Sequence, residues 1–148
     1  MVKIEHATLK EVNELALLFD QYRVFYQKPS DVEAAKRFLK DRIIAFESVI
    51  YVAYTDKNLM VGFTQLYPLF SSTRMKRLWL LNDLFVDPHH RGKGISLALI
   101  EKTKEMARQT GACGVMLETA KTNEIGNRLY PKAGFTVDKD HNYYSWDN

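Results

Sequence analysis

Apolar and polar residues follow helical and strand periods along most of the chain. Residues 2–7 alternate as a strand does, and two amphipathic helices follow. Thr8 with Glu11, and Ser30 with Glu33, form the capping-box pattern that opens a helix. The helices carry the apolar stripes Leu15, Leu18, Phe19, Tyr22, Phe25/Tyr26 and Val32, Ala35, Leu39, Ile43, Phe46.

The rest of the chain alternates between strand-like and helix-like segments. The predicted elements are strands 48–55, 59–69 and 75–86, helix 94–110, strand 114–119, a helix from Asn123 to about Tyr130, and a closing hairpin of 135–137 and 143–146. This order, βααβββαβαββ, predicts an α/β (α+β) fold with a mixed, mostly antiparallel sheet flanked by helices. We expect a single domain over 1–148.

Composition narrows the class of protein. A chain of 148 residues with 46% hydrophobic and 26% charged residues can bury its own core. No apolar run reaches the length of about 18 residues that a membrane span needs, and we expect a cytoplasmic protein. Cys113, the only cysteine, allows no intrachain disulfide and fits a small buried thiol. Dispersed charge and scattered histidines favour neither nucleic acid nor a metal site.

The segment LWLLNDLFVDPHHRGKGISLALIEKTKEMA carries the clearest chemical signal. It combines a buried strand, a loop with two glycines and a helix. A helix N-terminus attracts anions through unpaired N–H groups and its dipole, and Arg91 and Lys93 add positive charge. The pattern indicates a ligand that carries phosphates, although an ordinary basic helix start has the same features. Neither a dinucleotide fingerprint nor a P-loop is present.

The motif RGKGIS resembles the R-x-x-G-x-[GA] signature of GCN5-related N-acetyltransferases, with Ser96 where Gly or Ala is usual. The segment LETAKTNEIGNRLYPKAGF is similar to the second landmark of that family, and the resemblance covers nearly the whole chain. The segments FDQYRVFY, QLYPLFSS and LNDLFV resemble a subgroup akin to yeast Hpa2. The resemblance implies an acetyl-CoA-dependent N-acetyltransferase fold.

The resemblance also implies where acetyl-CoA binds. The strands that end at Val86 and begin at Gly114 would splay apart to admit the pantetheine arm. The implied cofactor-binding residues are Leu84, Phe85, Val86, Arg91, Gly92, Lys93, Gly94, Ile95, Ser96, Asn123, Asn127 and Tyr130. Tyr130 would also protonate the departing thiolate. From the residues alone, Asn123 also fits a helix N-cap and Tyr130 a core position. Pro131 is expected to end or kink the helix and to shift Tyr130.

The acceptor amine is protonated at neutral pH, so its attack requires a base or a water path. Some members of the family that the chain resembles use a glutamate on the fourth strand. This chain has Asn82 at that position, and asparagine accepts no proton. Asp83 is the nearest carboxylate; strand alternation places it on the same face as Trp79, Leu81 and Phe85, where a structural role is equally open.

The acceptor pocket is expected to use aromatic and polar residues of the first helix and the third strand. The predicted substrate-binding residues are Tyr22, Tyr26, Gln65, Tyr67 and Asn82. These aromatics can hold an ammonium group by cation–π contact, whereas Phe25 fits the core better.

The combined evidence predicts direct acetyl transfer to a primary amine of a small molecule, such as a polyamine or an amino acid, or to a lysine side chain. A homodimer is expected. The alternatives are a non-catalytic module that binds coenzyme A as a sensor, and a nucleotide-binding protein that uses the same loop.

Overall fold

The structure, a computed structural model, describes residues 1–148. The chain divides into two compact units, residues 1–118 and 119–148, each described here by itself. The single domain predicted from the sequence stays a prediction. No helix combines the length and the apolar character that a membrane span requires.

The predicted helices all form, and so do the first five strands. The elements are β1 (Lys3–His6), α1 (Val12–Phe25), α2 (Val32–Ile44), β2 (Val49–Tyr54), β3 (Met60–Ser71), β4 (Lys76–Val86), a 3₁₀ turn (Pro88–His90), α3 (Ile95–Gln109), β5 (Val115–Met116) and α4 (Glu124–Lys132).

The five strands form one sheet in the order β1-β2-β3-β4-β5. The strands β1 to β4 are antiparallel neighbours, and β5 joins β4 in parallel. The strand predicted over 114–119 is shorter than expected, because only Val115 and Met116 pair, with Trp79 and Leu80. The mixed, mostly antiparallel sheet predicted from the pattern is confirmed.

Helices cover both faces of the sheet. The core between the sheet and the pair α1/α2 includes Leu15, Leu39 and Phe63. Gly62 precedes Phe63 and therefore faces the opposite way. A Cβ atom at Gly62 would lie 3.4 Å from the side chain of Ile95, which places α3 on the second face.

Only half of the capping box predicted at Thr8 forms. The Glu11 carboxylate accepts hydrogen bonds from the backbone N–H and the hydroxyl of Thr8. However, α1 begins later, at Val12, with Glu11 as its N-cap and no side-chain cap hydrogen bond. The predicted cap at Ser30 is wrong. Asp31 caps α2 by accepting from the N–H of Ala34, because the Ser30 hydroxyl donates instead to the buried Asp20 carboxylate at 2.7 Å.

The prediction that Phe46 continues the apolar stripe of α2 is also wrong. The helix ends at Ile44, and Phe46 has a φ of 54° and is 89% exposed. Its N–H bonds to the carbonyl of Ile43 in a turn that leads to β2.

A β-bulge in β4 overturns the predicted face of Asp83. Gln65 pairs with Asp83, but the next residue, Leu66, pairs with Leu81, so Asn82 is an extra residue in β4. An extra residue reverses the direction of every side chain beyond it. Asp83 and Phe85 therefore face α1, while Trp79 donates a hydrogen bond from its indole Nε1 to the Thr110 hydroxyl at the end of α3.

In the unit of residues 119–148, Asn123 caps α4 as predicted. Pro131 does not end the helix, which continues to Lys132. The proline lies in the last turn, where it removes only one helical hydrogen bond. The residues of the predicted closing hairpin form no strand. Asp138 instead organises a turn by accepting from the N–H groups of Asp140 and His141.

Candidate active site

The loop between β4 and α3 leaves the N-terminus of α3 open. Gly92 and Gly94 have φ values of 75° and 77°, a left-handed conformation that glycine adopts without strain. No side chain caps α3, so its first-turn N–H groups have no side-chain partner. A Cβ atom at either glycine would meet nothing within 4 Å. The backbone therefore presents free donors and open space to an anion.

Arg91 is fixed on the wall of this loop. Its Nε donates to the Val86 carbonyl at 3.0 Å, and its guanidinium lies 5.2 Å from the ring centre of Phe25 and 5.6 Å from that of Phe85. These contacts tie the loop to β4 and α1, and they place a positive charge at its start. The exposed Lys93 adds a second positive charge beside the two glycines.

Two residues of β4, Trp79 and Leu80, pair with β5. Beyond them, the same edge of β4, its outer edge, has no strand partner. The pairing with β5 stops at Leu80. Asp87 bonds to β3 through its N–H, and backbone groups of successive residues point to alternate edges. Phe85 therefore also bonds to β3, whereas Leu84 and Val86 turn their N–H groups to the outer edge.

A buried hydrogen-bond network surrounds the Asp83 carboxylate, which is 5% exposed. Its oxygens accept from the Gln65 amide at 2.8 Å, from the Asn82 amide at 3.1 Å and from the Tyr22 hydroxyl. The Thr64 hydroxyl donates to the backbone carbonyl of Asp83. The bulge thus brings Tyr22, Gln65 and Asn82, all predicted from the sequence, onto one carboxylate.

Two tyrosines near this carboxylate stay protonated. Burial raises the pKa of Tyr22 far above its usual range, and the negative charge and hydrogen bond of Asp83 add to the shift. Burial and the same charge raise the pKa of Tyr67 to about 12. A phenol with so high a pKa is a hydrogen-bond donor at neutral pH and not a base.

The end of α1 adds exposed aromatic rings. Tyr26 is 55% exposed and its ring lies edge-on to Tyr22, with 5.0 Å between the ring centres. The expectation that Phe25 belongs to the core is wrong, because it is 58% exposed and stacks with Arg91. The contact between Phe25 and Arg91 was not predicted from the sequence. Its one available signal is the position of Phe25, three residues after Tyr22 on the same helix.

A carboxylate that was not predicted orders the loop between α1 and α2. Asp20, which is buried, accepts from the Ser30 hydroxyl and from the N–H of Asp31, each at 2.7 Å. The Arg23 guanidinium lies 3.8 Å from the same carboxylate. This loop fixes the exit of α1, where Tyr22 and Tyr26 are located.

The two asparagines of the second landmark stabilise the start of α4. Asn123 accepts from the N–H of Gly126 and donates to the Thr119 hydroxyl. The Asn127 amide donates to the backbone carbonyls of Ala120, Lys121 and Asn123. Both amides thus already serve the local backbone.

Tyr130 lies on α4 near Gly126. A Cβ atom at Gly126 would lie 2.6 Å from the Asn123 amide nitrogen and 3.2 Å from the Tyr130 ring, so only glycine fits there. The ring also packs edge-on against Phe135, with 6.0 Å between centres. The Tyr130 ring is therefore held by close packing within its own unit.

Comparisons with known proteins agree with this architecture. The model of the Acetyltransferase (GNAT) family matches residues 15–135. The Bacillus subtilis protein named uncharacterized N-acetyltransferase YhfO is 42% identical over 143 residues, which are 97% of this chain and 95% of that protein. A probable acetyltransferase of Haemophilus influenzae is 31% identical over 136 residues, 88% of this chain and 93% of its own.

A solved structure, the crystal structure of a probable acetyltransferase, has a TM-score of 0.95 to this chain. The two are 38% identical, and the match covers 99% of this chain and 97% of the other. The resemblance to the Hpa2 subgroup stays a prediction. The family match over most of the chain, together with these relatives, shows that the chain belongs to the GNAT family of acetyltransferases and is an acyltransferase.

Proposed function

We propose that this enzyme transfers the acetyl group of acetyl-CoA directly to a primary amine of a small molecule. The observation that carries the proposal is the open N-terminus of α3. Its uncapped N–H groups, the glycines 92 and 94 and the charges of Arg91 and Lys93 match the needs of a pyrophosphate. In this proposal residues 91–96 hold that group.

The outer edge of β4 would hold the rest of the cosubstrate. The N–H and C=O groups of Leu84 and the N–H of Val86 can pair with the amides of the pantetheine arm, as an added strand does. The Val86 carbonyl already accepts from Arg91, and Phe85 uses its backbone on β3. The role of Phe85 is therefore to support Arg91 with its ring. Asn123, Asn127 and Tyr130 complete the proposed set.

Acetyl-CoA supplies an activated thioester, and the chain supplies orientation and proton transfer. The amine nitrogen bonds to the carbonyl carbon, the carbon–sulfur bond breaks, and no acyl-enzyme forms. Backbone N–H groups of β4 stabilise the negative charge that develops on the carbonyl oxygen. Tyr130 donates its hydroxyl proton to the departing thiolate and regains a proton from solvent.

The amine must lose a proton before or during attack. Asn82 cannot take it up, and the buried tyrosines remain protonated. Asp83 is the candidate base that the structure leaves on β4, and a water path is the alternative. Cys113 takes no part in direct transfer.

The acceptor site would lie where α1 meets β3 and β4, lined by Tyr22, Tyr26, Gln65, Tyr67 and Asn82. Four of these five residues lie on or beside the Asp83 carboxylate, and Tyr26 packs on Tyr22. Aromatic rings beside a carboxylate suit a cationic amine. This chemistry favours a small amine, and a lysine side chain remains the second candidate acceptor.

The test is acetyl transfer, followed as thiol release, against polyamines, amino acids, aminoglycosides and lysine peptides. We expect turnover with one class of small amine. In the variant Tyr130→Phe, kcat should fall by about 10²- to 10⁴-fold, the usual contribution of a general acid, while acetyl-CoA affinity changes little.

The wild-type acetyl-CoA affinity, measured by calorimetry, is the control for these assays. Binding without turnover on any acceptor would favour a sensor, and equal losses of kcat and affinity in Tyr130→Phe would assign Tyr130 to binding. Absence of acetyl-CoA binding would refute the proposal. The homodimer and the cytoplasmic location stay predictions for sedimentation and cell fractionation.

A further inference from the structure

Two buried acceptors at the bulge of β4 have no positive partner. Asp83 is 5% exposed and takes part in none of the salt bridges of the chain. Gln65 is fully buried, and its amide oxygen Oε1 has no hydrogen-bond partner. A buried acceptor without a donor is costly, and a buried carboxylate without a cation more so. The pair therefore suits a positively charged donor.

The orientation of the Gln65 amide follows from its neighbour. Its Nε2 donates to the Asp83 carboxylate at 2.8 Å. A reversed amide would place two acceptor oxygens against each other, so the hydrogen-bond network fixes Oε1 on the side away from Asp83. The unpaired oxygen is consequently a neighbour of the carboxylate, within the span of one amide group.

The positively charged side chains near this network already contact other groups of the chain. Arg42 lies close enough to Tyr67 to influence its pKa, but it is paired with Glu47. Arg91 lies over Phe85 and Phe25 and bonds to a backbone carbonyl. None of the chain's salt bridges includes Asp83, so a cation from outside the chain can take that place.

The surrounding side chains suit an ammonium group. The Tyr22 hydroxyl bonds to Asp83, and the rings of Tyr22 and Tyr26 lie 5.0 Å apart, with Tyr26 half-exposed to solvent. Faces of phenol rings attract cations. We propose that Asp83, the Gln65 carbonyl and these rings bind an ammonium group of the acceptor other than the amine that is acetylated.

Asp83 would hold this second group better than the reacting one. A carboxylate within hydrogen-bond reach favours the charged form of an amine. An ammonium nitrogen has no lone pair with which to attack the thioester carbonyl. An amine held by Asp83 stays protonated and does not react, so the acceptor class is a diamine or a larger compound with at least two amino groups. This inference rests on the proposed function and assigns Asp83 to binding rather than to base catalysis.

The experiment compares acceptors that differ in one charge. Initial rates with acetyl-CoA are measured for 1,4-diaminobutane, for 4-amino-1-butanol, which replaces one ammonium by a hydroxyl, and for butylamine. Because a hydrogen bond to a charged group contributes strongly, we expect kcat/KM for the diamine to exceed that of the other two by about 10- to 100-fold. In Asp83→Asn this ratio should fall to about one, mainly through a higher KM for the diamine.

Binding of 1,4-diaminobutane to the free enzyme, followed by NMR titration, reports on the site without turnover. Diamine binding that Asp83→Asn abolishes supports the inference even if no acceptor is acetylated, in which case the proposed function fails. Equal use of butylamine and diamine, or no diamine binding, overturns the inference and leaves acetyl transfer standing. An equal kcat loss for all three acceptors in Asp83→Asn would identify a base and also overturn it.

One further variant tests whether the loss of any carboxylate would have the same effect. Asp56→Asn removes an exposed carboxylate that contacts only the N-terminus, and it should behave as the wild type. Loss of the preference in Asp56→Asn would mean that general charge, and not Asp83, selects the acceptor.

Discussion

At the scale of single residues, the chemistry of the proposed acceptor site depends on one buried carboxylate. Asp83 accepts hydrogen bonds from the amides of Gln65 and Asn82. Burial is the main cause of the raised pKa values of Tyr22 and Tyr67, and the charge of Asp83 adds to both shifts. The same carboxylate thus orders its amide neighbours and helps to keep both tyrosines protonated.

The Tyr67 shift predicts a loss of stability in alkali. Its pKa is about 12 in the folded chain and about 10 when unfolded. Below pH 10 both states hold the proton, and between pH 10 and 12 the unfolded state loses it first, so stability falls as pH rises. At pH 11 this loss amounts to about 1 kcal/mol, and it should be absent in Tyr67→Phe. Urea unfolding at pH 8.5 and 11 measures it.

Each variant is compared with itself at the two pH values, because Tyr22 and Tyr54 also have raised pKa values and remain in every variant. Tyr144→Phe, at a ring that is almost fully exposed, is the matched control. If Tyr67→Phe loses as much stability as the wild type between pH 8.5 and 11, Tyr67 does not carry the shift.

At the scale of elements, the cap of α2 distinguishes the sequence prediction from the structure. Asp31 caps the helix, while Ser30 donates to Asp20. We predict that Asp31→Ser is tolerated, since serine also caps, whereas Ser30→Asp lowers the free energy of unfolding by at least about 1 kcal/mol. The second change removes a donor from a buried carboxylate and brings a like charge to it. Urea denaturation at pH 7 measures both.

The opposite ranking would restore Ser30 as the cap. In that case Ser30→Asp would be tolerated, because aspartate is an effective N-cap, and Asp31→Ser would have no advantage over Asp31→Ala. Amide exchange of the first turn of α2 adds a local readout, since a lost cap exposes the N–H of Ala34.

Most helices and strands could be predicted because their hydrophobic periodicity extends over many residues and because clear signals mark where they end. The bulge could not be predicted, because the number of apolar residues in β4 is the same with or without it. It nevertheless reverses the face of the sheet on which Trp79 and Leu81 lie. The cap at Asp31 was missed because Ser30 and Asp31 are both good caps, and only Asp20 decides between them.

The candidate site likewise has a part that could be predicted from the sequence and a part that could not. The loop at residues 91–96 follows from a local motif, whose glycines and charges are adjacent in sequence. The Asp83 network depends on pairing between β3 and β4, so the sequence could name Gln65 and Asp83 but not their contact. The stacking of Arg91 on Phe25 is likewise a long-range contact that leaves no periodic trace.

At the scale of the whole molecule, the unit of residues 119–148 is the smaller of the two by far. Below about 40 residues, a chain rarely folds alone without disulfides, metals or partners. This unit has no cysteine, because Cys113 lies before it. The sequence-based prediction of a single domain therefore requires its stability to be coupled to that of residues 1–118.

Native-state hydrogen exchange tests this coupling. We predict that the most protected amides of α4 and α3 exchange with the same free energy and the same dependence on urea, because both require global unfolding. Exchange of α4 at much lower urea, with α3 still protected, would show that residues 119–148 unfold separately. Since Tyr130 lies on α4, separate unfolding would also predict that activity is lost in urea before α3 unfolds, whereas one domain loses activity and helix α3 together.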